Sequence, residues 1–490
     1  MNTSTSTKPD VGAEIAYLDA VDLTQAYRAR DLSPVEVATV LLERIDEVNG
    51  QVNAIVHVDH DHTLALAAAA ERRYLDGKPL SPLDGVPVTI KDLSAVAGMP
   101  LRRGSLAFDA GRPVAHDTPC VARLREAGLV FLAKTATPEA GCKIVTRSQV
   151  HGVTANPYDL RKTPGGSSGG ASAALALGLA PLALGSDGAG SIRIPASYTN
   201  VFGLKPGFGR VPAFPPDIDM PHSVVGPMSR TVLDSALMLE VIARPEPRDP
   251  FAWPIGFSMP GDLREPRLEG MRVAVSPRMG FNAPLVDGEV DRLVALAGPL
   301  LADAGAAVSE ASPNWPVDPL EPFKVFWQAA CTSTVDDFEA HRQPLLDPYL
   351  RAVAATSRFL SLKDYLAAMK QRLAIHAAAH AFFLRYDLLI GPVMPVAAFA
   401  IERDVPAGFN DDDWSWCPYT YPWNMTGQPA ASVPIGFTKA GLPVGVQIVG
   451  RTGAEADVLR AAAAIEKRLP LHLRRPPHAG LDQKLHGNGS

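Results

Sequence analysis

The chain has 490 residues, of which 47% are hydrophobic and 20% are charged, a balance that provides a folded core and excludes a mainly disordered chain. Its 46 basic and 52 acidic residues give a formal net charge of -6, and no basic cluster supplies the phosphate contacts on which nucleic-acid affinity depends. We therefore expect no nucleic-acid partner.

We expect neither a secretory signal nor a membrane span. Residues 1–10 are polar and lack the apolar core of a signal peptide. The most apolar stretches, 171–185 and 381–401, are interrupted by Gly, Pro or charged residues, so neither provides about 20 continuous apolar residues. The four cysteines have no paired spacing (Cys120, Cys142, Cys331 and Cys417), which predicts free thiols in a cytoplasmic protein.

The N-terminal part of the chain predicts helices. Residues 16–76 combine helical apolar periodicity with capping signals. Ser33, Pro34 and Glu36 form the pattern of a capping box, with the serine at the N-cap and the proline at the first helical position. We expect residues 1–80 to be a helical region packed on the core.

From residue 85 onward the pattern changes to an alternation of strands and helices. The predicted strands are residues 86–90, 129–133, 182–184, 271–275 and 386–390. The predicted helices are residues 170–179, 231–243, 286–304 and 456–468. Prolines between 211 and 265 predict surface loops. Residues 81–470 are therefore expected to form one α/β domain, followed by a loose tail at 471–490.

Two Gly/Ser loops carry the strongest functional signal. The first reads GGSSGG at 165–170, and the second reads GSDGAGSIRIP at 185–195. Ser167 and Ser191 are 24 residues apart (191 minus 167) across a helix and a strand, so both loops can meet at one end of a sheet. Glycines there let a substrate approach backbone N–H groups closely.

Three other interpretations of these loops compete. They can be plain turns, which a single Gly/Ser loop usually is. The interpretation as a phosphate-binding P-loop is excluded because no lysine follows the glycines at the end of the motif. A nucleophile elbow fits the G-x-S-x-G pattern at 165–169 but requires a downstream acid and a histidine base, and the downstream histidines lie in no recognisable context.

Further ordered motifs make a family resemblance specific. They read LDGVPVTIKD at 83–92, GVTANP at 152–157, GLKP at 203–206, GPMSRT at 226–231 and GQPA at 427–430. With them the chain resembles the amidase signature family of serine hydrolases, from about residue 18 to residue 468. The resemblance implies an α/β, amidase-signature fold, with a central twisted mixed β-sheet covered by helices on both faces. Within the family the chain is similar to aryl acylamidases, nylon-oligomer hydrolases and urethanases.

The resemblance also implies the catalytic residues. Ser191 is the nucleophile, Ser167 is a bridging serine with a cis peptide bond, and Lys91 is the base. Lys91 ends an apolar strand, where desolvation favours the neutral amine that a base must be. A histidine is then unnecessary.

The loop around Ser191 is expected to form the oxyanion hole. Its implied donors are the backbone N–H groups of Gly188, Ala189, Gly190 and Ser191. The loop reads DGAGS at 187–191, where the common family form is DTGGS, and this departure favours branches that act on xenobiotic amides. Asp187 and Arg193 are expected to be a structural pair that holds the loop.

Small and apolar residues are predicted to shape the substrate site. Ala140 and Gly141 leave room beside the nucleophile. Other apolar walls are expected from the 213–222 loop and the 323–384 region, with Phe214, Met220, Phe323, Phe326 and Trp327. We therefore expect C–N cleavage of apolar or aryl amides and carbamates through an acyl-enzyme. The expected ligand is a small-molecule amide or carbamate, with no cofactor, metal or membrane, and the chain is expected to be a monomer or homodimer.

Two alternative functions stay open. One is the glutaminase (A-type) component of a tRNA-dependent amidotransferase complex, and the other is a non-catalytic scaffold. The presence of Lys91, Ser167 and Ser191 argues against the scaffold.

The histidines and aromatic residues have simpler interpretations. His376 and His380 have helical i, i+4 spacing but lack the metalloprotease glutamate and a third ligand, and the histidines at 57–62 are expected at the surface. The Trp and Tyr residues at 414–423 are interpreted as core or pocket rim.

Overall fold

The structure is a computed structural model that describes residues 11–108, 112–216, 222–281, 286–409 and 414–477. Its α-helices are Val11–Ala16 (α1), Ala20–Ala29 (α2), Pro34–Val52 (α3), His60–Leu75 (α4), Pro119–Glu126 (α5), Gly169–Ala176 (α6), Arg193–Tyr198 (α7), Val232–Ile242 (α8), Gly288–Val294 (α9), Ala297–Ala302 (α10), Leu320–Asp336 (α11), Pro348–Thr356 (α12), Leu362–Phe383 (α13), Tyr421–Met425 (α14) and Glu455–Arg468 (α15). Its strands are Ile55–Val58 (β1), Pro87–Lys91 (β2), Val130–Thr135 (β3), Arg147–Ser148 (β4), Gly152–Val153 (β5), Leu182–Asp187 (β6), Phe202–Lys205 (β7), Val224–Ser229 (β8), Arg272–Val275 (β9), Ala307–Glu310 (β10), Leu388–Pro392 (β11), Ala430–Phe437 (β12) and Pro443–Gly450 (β13). Short 3-10 turns lie at Glu139–Gly141, Gln343–Leu345, Ser357–Phe359, Trp414–Trp416 and Leu471–Leu473.

Within the described residues, eleven strands form one mixed sheet in the order β1-β3-β2-β6-β8-β7-β12-β13-β11-β9-β10. Strand β2 runs parallel to both of its neighbours, β3 and β6. The strands from β6 through β8, β7, β12 and β13 to β11 pair antiparallel, and β9 runs parallel to β11 and β10. The predicted central mixed sheet is therefore confirmed.

Helices cover both faces of this sheet, as predicted. Successive side chains of a strand point to opposite faces. Ala431 and Val433 of β12 pack in one buried cluster with Val458 of α15. On the other face Gly445 of β13 lies against α7, since a Cβ atom at Gly445 would be 2.9 Å from Ser197 Cβ.

The N-terminal region contains a strand that the sequence prediction missed. The capping box at Ser33 and Glu36 is present at the start of α3, with Pro34 in the first turn. Between α3 and α4, however, β1 pairs antiparallel with β3 and forms one edge of the large sheet. A strand of four residues is too short for periodicity to reveal.

Two predictions near the C-terminal half need correction. The helix expected at 286–304 is two helices, α9 and α10, because Pro299 has no N–H to donate to the preceding turn. The tail expected to be loose from residue 471 begins with an anchored segment. Asn200 Nδ2 donates to Leu471 O at 2.8 Å, and Tyr158 Oη donates to Arg474 O at 2.8 Å. Residues 478–490 lie outside the described residues.

The remaining expectations concern cysteines and membrane spans. All four cysteines are buried and none is in a disulfide. None of the helices in the described ranges is long and apolar enough to cross a bilayer.

Candidate active site

Lys91 lies at the end of β2, beside the parallel strand β6. Its Nζ is 2.6 Å from Ser167 Oγ and 3.0 Å from Ser186 Oγ. The side chain is buried, and β2 is an interior strand of the sheet, two strands from the β1 edge. This burial lowers the pKa of Lys91 to about 7, although the Asp187 carboxylate opposes the shift. A large fraction of the amine is therefore neutral near pH 7.

Ser167 lies where the two Gly/Ser loops meet. The Gly166–Ser167 peptide bond is cis. The next residue, Ser168, donates its backbone N–H to Ser191 O at 3.1 Å, and its Oγ donates to Ser186 O at 3.1 Å. The prediction that both loops meet at one end of the sheet is confirmed.

Asp187 organises the second loop. Its carboxylate accepts from Arg193 Nε and Nη2, both at 2.9 Å, so the predicted structural pair is present. Asn424 Nδ2 donates to Asp187 O at 2.8 Å, and Gln447 Oε1 accepts from Arg193 Nη1 at 2.7 Å. Burial alone would raise the pKa of Asp187, but the Arg193 guanidinium and its hydrogen bonds hold this pKa below its usual range.

Among the described residues, one backbone N–H group of the loop at 188–191 is already hydrogen-bonded and the other three are not. The Gly190 N–H donates to Asp187 Oδ1 at 2.7 Å, so this amide is already engaged and the prediction of Gly190 as an oxyanion donor is not supported. In the described part of the chain, the N–H groups of Gly188, Ala189 and Ser191 have no hydrogen-bond partner. Buried or half-buried backbone donors are rarely left unpaired, so these three are available to a bound oxygen.

Ala140 and Gly141 lie beside the bridging serine. Both residues have left-handed backbone conformations, with φ of 49° and 75°, and both are partly exposed. A Cβ atom at Gly141 would be 3.2 Å from Ser167 Oγ and 3.1 Å from Leu93 Cδ1. The turn therefore approaches Ser167 as closely as a glycine permits.

The loop that carries Ser191 contributes Ala189 to an aromatic cluster. Ala189 packs in one buried cluster with Phe323, Phe326, Trp327, Trp414 and Tyr421. Ring centroids are 4.6 Å apart for Phe323 and Tyr421, and 4.9 Å apart for Trp327 and Trp414. A cavity of about 30 Å³ lies at one side of the cluster, lined in part by Trp414.

Two other predicted pocket residues are not in this cluster. Phe214 is exposed, with the Arg248 Cζ 4.6 Å from its ring centroid, and its role as a pocket wall stays a prediction. Met220 lies outside the described residues. The aromatic residues at 414–423 belong to two clusters. Trp414 and Tyr421 lie in the cluster described above, whereas Tyr419 and Trp423 pack in a separate one.

Polar groups at the edge of the aromatic cluster are His222 and Arg372. His222 is fully buried against Phe323 and Phe326, and burial lowers its pKa to about 3. Its two ring nitrogens have no hydrogen-bond partner among the described residues. Arg372 donates from Nε to Met425 O at 2.7 Å, and its Cζ lies 5.9 Å from the Phe326 ring centroid.

Sequence reasoning missed the residues that reach the site from far along the chain. Ser186 lies within a recognised loop, but only the pairing of β2 with β6 brings it to Lys91. Asn424 and Gln447 are more than 200 positions from Asp187 and Arg193. The one sequence signal for Asn424 is a polar side chain within the apolar segment YPWNM.

His376 and His60, two of the histidines considered as metal ligands, have ordinary partners. His376 Nδ1 lies 3.1 Å from Thr426 O, and His60 Nε2 lies 3.3 Å from Asp46 Oδ2. Among the residues that the structure describes, no group of three or more His, Cys, Asp or Glu side chains is arranged to hold a metal ion.

Comparisons with known proteins agree with this geometry. Residues 36–459 match the family model described as Amidase. An acylamidase of Rhodococcus erythropolis is 37% identical over 468 residues, covering 94% of this chain and 97% of that protein. The A-type component of the glutamyl-tRNA(Gln) amidotransferase of Moorella thermoacetica is 34% identical over 495 residues, covering 94% and 99%.

The solved structures point to the same family. The crystal structure of a bacterial aryl acylamidase of the amidase signature enzymes superposes with a TM-score of 0.86 at 28% identity, covering 93% of this chain and 97% of that one. The family model matches most of the chain, and each of these relatives is similar to it over more than nine-tenths of its length. The chain belongs to the amidase signature family and is an amidohydrolase.

Proposed function

We propose that the protein cleaves the C–N bond of apolar or aryl amides and carbamates through an acyl-enzyme on Ser191. The observation that carries the proposal is the 2.6 Å contact between Lys91 Nζ and Ser167 Oγ. Because burial lowers the pKa of Lys91 to about 7, the lysine has a neutral form that can accept a proton near physiological pH.

The proposed proton route begins at this contact. Lys91 accepts the proton of Ser167 while Ser167 accepts the proton of Ser191, and the Ser191 oxygen attacks the substrate carbonyl. The proton returns by the same route to the leaving nitrogen as the C–N bond breaks, which leaves an ester on Ser191. Water then attacks this ester and gives a proton to Lys91 along the same route. The bond between the acyl carbon and the Ser191 oxygen breaks, the proton returns to that oxygen, and the acid is released. With a carbamate, the released product is a carbonic half-ester.

The unpaired backbone amides support the stabilisation of the tetrahedral intermediate. The N–H groups of Gly188, Ala189 and Ser191 are free to donate to its oxyanion. Removal of one such donor costs about 10²–10³-fold in rate in a well-studied serine protease. The proposed oxyanion hole therefore uses these three donors and not the Gly190 N–H.

The aromatic cluster supports the substrate class. Ala189 of the proposed oxyanion loop belongs to the same buried cluster as Phe323 and Trp414, so an acyl group bound at Ser191 is expected to meet apolar side chains. Each buried CH₂ contributes about 0.8 kcal/mol to binding. The low pKa of His222 keeps its imidazole neutral at this edge.

A cytoplasmic location and a monomeric or homodimeric state remain predictions from the sequence.

Labelling with a fluorophosphonate tests the nucleophile. We expect peptide mapping to find the label on Ser191 and the Ser191→Ala variant to be neither labelled nor active. A label on Ser167 would replace this proposal with a nucleophile-elbow mechanism.

A substrate panel tests the substrate class. We expect kcat/KM to be highest for p-nitroanilides and aryl carbamates with neutral apolar acyl groups, and low for free amino-acid amides. The Ser191→Ala variant controls for background hydrolysis. Higher efficiency on glutamine or asparagine than on every neutral aryl substrate would contradict the proposal.

A glutaminase function is the second candidate, and the 34% identity over 495 residues to the A-type amidotransferase component of Moorella thermoacetica favours it. Ammonia release from glutamine, measured for the wild type and for Ser191→Ala, tests this candidate. Glutamine turnover that the Ser191→Ala substitution abolishes, together with no anilide turnover in the wild type, would favour the glutaminase.

A further inference from the structure

The loop that carries Ser191 is held by a hydroxyl from the opposite part of the chain. Thr420 lies directly before α14 and is fully buried. Its Oγ1 donates to Ala189 O at 2.6 Å, across 231 positions of sequence. This hydrogen bond engages a backbone carbonyl in the middle of the proposed oxyanion loop.

The Ala189–Gly190 peptide is thereby held at both of its polar atoms. Its carbonyl oxygen accepts from Thr420 Oγ1, and its N–H donates to Asp187 Oδ1 at 2.7 Å. A peptide group is planar, so two hydrogen bonds at opposite ends determine its rotation about the chain axis. The N–H groups of Ala189 and Ser191, on the adjacent peptides, take their directions from this one.

Gly190 makes this restraint necessary. Its φ is +123°, and glycine has many other conformations open to it. A Cβ atom at Gly190 would be 2.6 Å from Thr420 Oγ1 and 2.7 Å from Ile194 Cδ1. Residue 190 must therefore be glycine, whose backbone is flexible. Because of this flexibility, neighbouring groups are needed to limit the rotation of the Ala189–Gly190 peptide.

Thr420 is itself held by the network of Asp187. Arg193 Nη1 donates to Thr420 O at 2.9 Å, while Nη2 of the same guanidinium donates to Asp187 Oδ1 at 2.9 Å. These hydrogen bonds and the Ala189–Gly190 peptide thus connect Asp187, Thr420 and Arg193 in a closed ring.

We infer that Thr420 is a positioning residue of the oxyanion hole, an inference that rests on the proposed role of Ser191. Its hydroxyl holds the Ala189 carbonyl in the orientation that keeps the Ala189 and Ser191 N–H groups directed at the substrate oxygen. A reversed peptide would present the carbonyl oxygen to the developing negative charge, and the two would repel each other. Thr420 touches no reacting atom, so its effect is expected in the transition state and not in substrate affinity.

The test compares Thr420→Val with Thr420→Ser. Valine keeps the shape of the side chain beside Gly190 but removes the hydroxyl, while serine keeps the hydroxyl. We expect Thr420→Val to lower kcat on a p-nitroanilide by about 10- to 100-fold with KM nearly unchanged. Inhibition by an aryl trifluoromethyl ketone, which forms a tetrahedral adduct on serine, should weaken by a similar factor. Thr420→Ser should stay within about threefold of the wild type in kcat.

Thr426→Val is the matched control. Thr426 Oγ1 donates to Pro422 O at 2.8 Å within the same short segment and is also buried, so its loss affects stability to a similar degree. We expect Thr426→Val to leave kcat within about twofold of the wild type. If Thr420→Val does not fold, Thr420→Ala, which only removes atoms, takes its place.

The outcomes separate this inference from the proposed function. If fluorophosphonate does not label Ser191 in the wild type, the proposed function fails. If Ser191 is labelled but Thr420→Val matches the wild type in kcat, the inference about Thr420 alone is wrong. Equal losses in Thr420→Val and Thr420→Ser, or a loss confined to KM, would also overturn it.

Discussion

Lys91 is the residue whose ionisation is expected to set the pH dependence of catalysis. Burial lowers its pKa to about 7, and the base works only when neutral, so kcat/KM should rise as the pH passes from below to above about 7. Lys91→Ala should lower kcat/KM by about 10²–10⁴-fold, and Lys91→Arg should be as inactive because a guanidinium stays protonated. A pH series of kcat/KM on one anilide measures both effects.

Lys205 provides the control for the pH series. It is also fully buried, with a pKa lowered to about 7 by burial and by Arg193, but its Nζ donates to Pro206 O at 2.9 Å. We expect Lys205→Met to keep the rise in kcat/KM near pH 7. If this variant loses the rise while Lys91→Ala keeps near-normal turnover, Lys91 is not the base.

Gly141 is the second residue for which local geometry predicts a measurable effect. An added Cβ atom would be 3.2 Å from Ser167 Oγ, which is tight enough to displace the bridging serine by a few tenths of an ångström. We expect Gly141→Ala to lower kcat/KM by about 10-fold or more, because small misplacements of reacting groups are costly.

Gly441→Ala controls for backbone strain at Gly141. Gly441 has a φ of +80°, and a Cβ atom there would have no heavy atom within 4 Å. Both variants therefore carry a similar strain of about 1 kcal/mol, and their Tm values should fall by similar amounts. Equal losses of turnover in the two variants would show that strain, and not contact with Ser167, is responsible.

At the scale of elements, Glu466 joins α15 to the first turn of α8. Its Oε1 accepts from Val232 N at 2.9 Å, and burial raises the pKa of Glu466 to about 8, with the Asp19 and Asp234 carboxylates adding to the shift. The folded chain therefore keeps a proton that the unfolded chain releases above about pH 4.3. The free energy of unfolding should fall as the pH rises from about 4.3 through 8.

The Glu466→Gln variant tests this linkage. Glutamine keeps the acceptor oxygen but does not titrate, so the Tm of the variant should exceed that of the wild type increasingly between pH 5 and pH 8. Glu43→Gln, at an exposed position on α3, serves as the control and should follow the wild type. A difference in Tm between Glu466→Gln and the wild type that does not change with pH would contradict the linkage.

At the scale of the whole molecule, residues 471–475 connect distant parts of the fold. Their backbone carbonyls accept hydrogen bonds from Asn200 and Tyr158. Arg475 Cζ lies 4.2 Å from the ring centroid of Tyr17 in the N-terminal region. A chain that ends at Pro470 should be less stable than one that ends at Pro477, by about 3 kcal/mol. Because these contacts do not involve Lys91, Ser167 or Ser191, kcat should be equal at a temperature where both chains are folded. Thermal unfolding and anilide kinetics measure the two quantities, and equal Tm values would contradict the anchoring role.

Local features of this protein were determined by the sequence alone. The capping box at Ser33 and the strands predicted at 86–90 and 182–184 depend on hydrogen bonds and side-chain alternation within a few residues. All are present, although the second strand continues to Asp187. The two Gly/Ser loops were also placed correctly at one end of the sheet, because one helix and one strand separate them.

Only the tertiary structure decided how these parts are held and tuned. The pKa of Lys91 depends on burial on an interior strand of the sheet, which follows from strand order. Engagement of the Gly190 N–H by Asp187 depends on how the loop turns, and Thr420 and Asn424 reach it from more than 200 positions away. Side-chain patterns report neighbours within a helical turn or strand, whereas contacts over such separations exist only after the sheet has brought distant strands together.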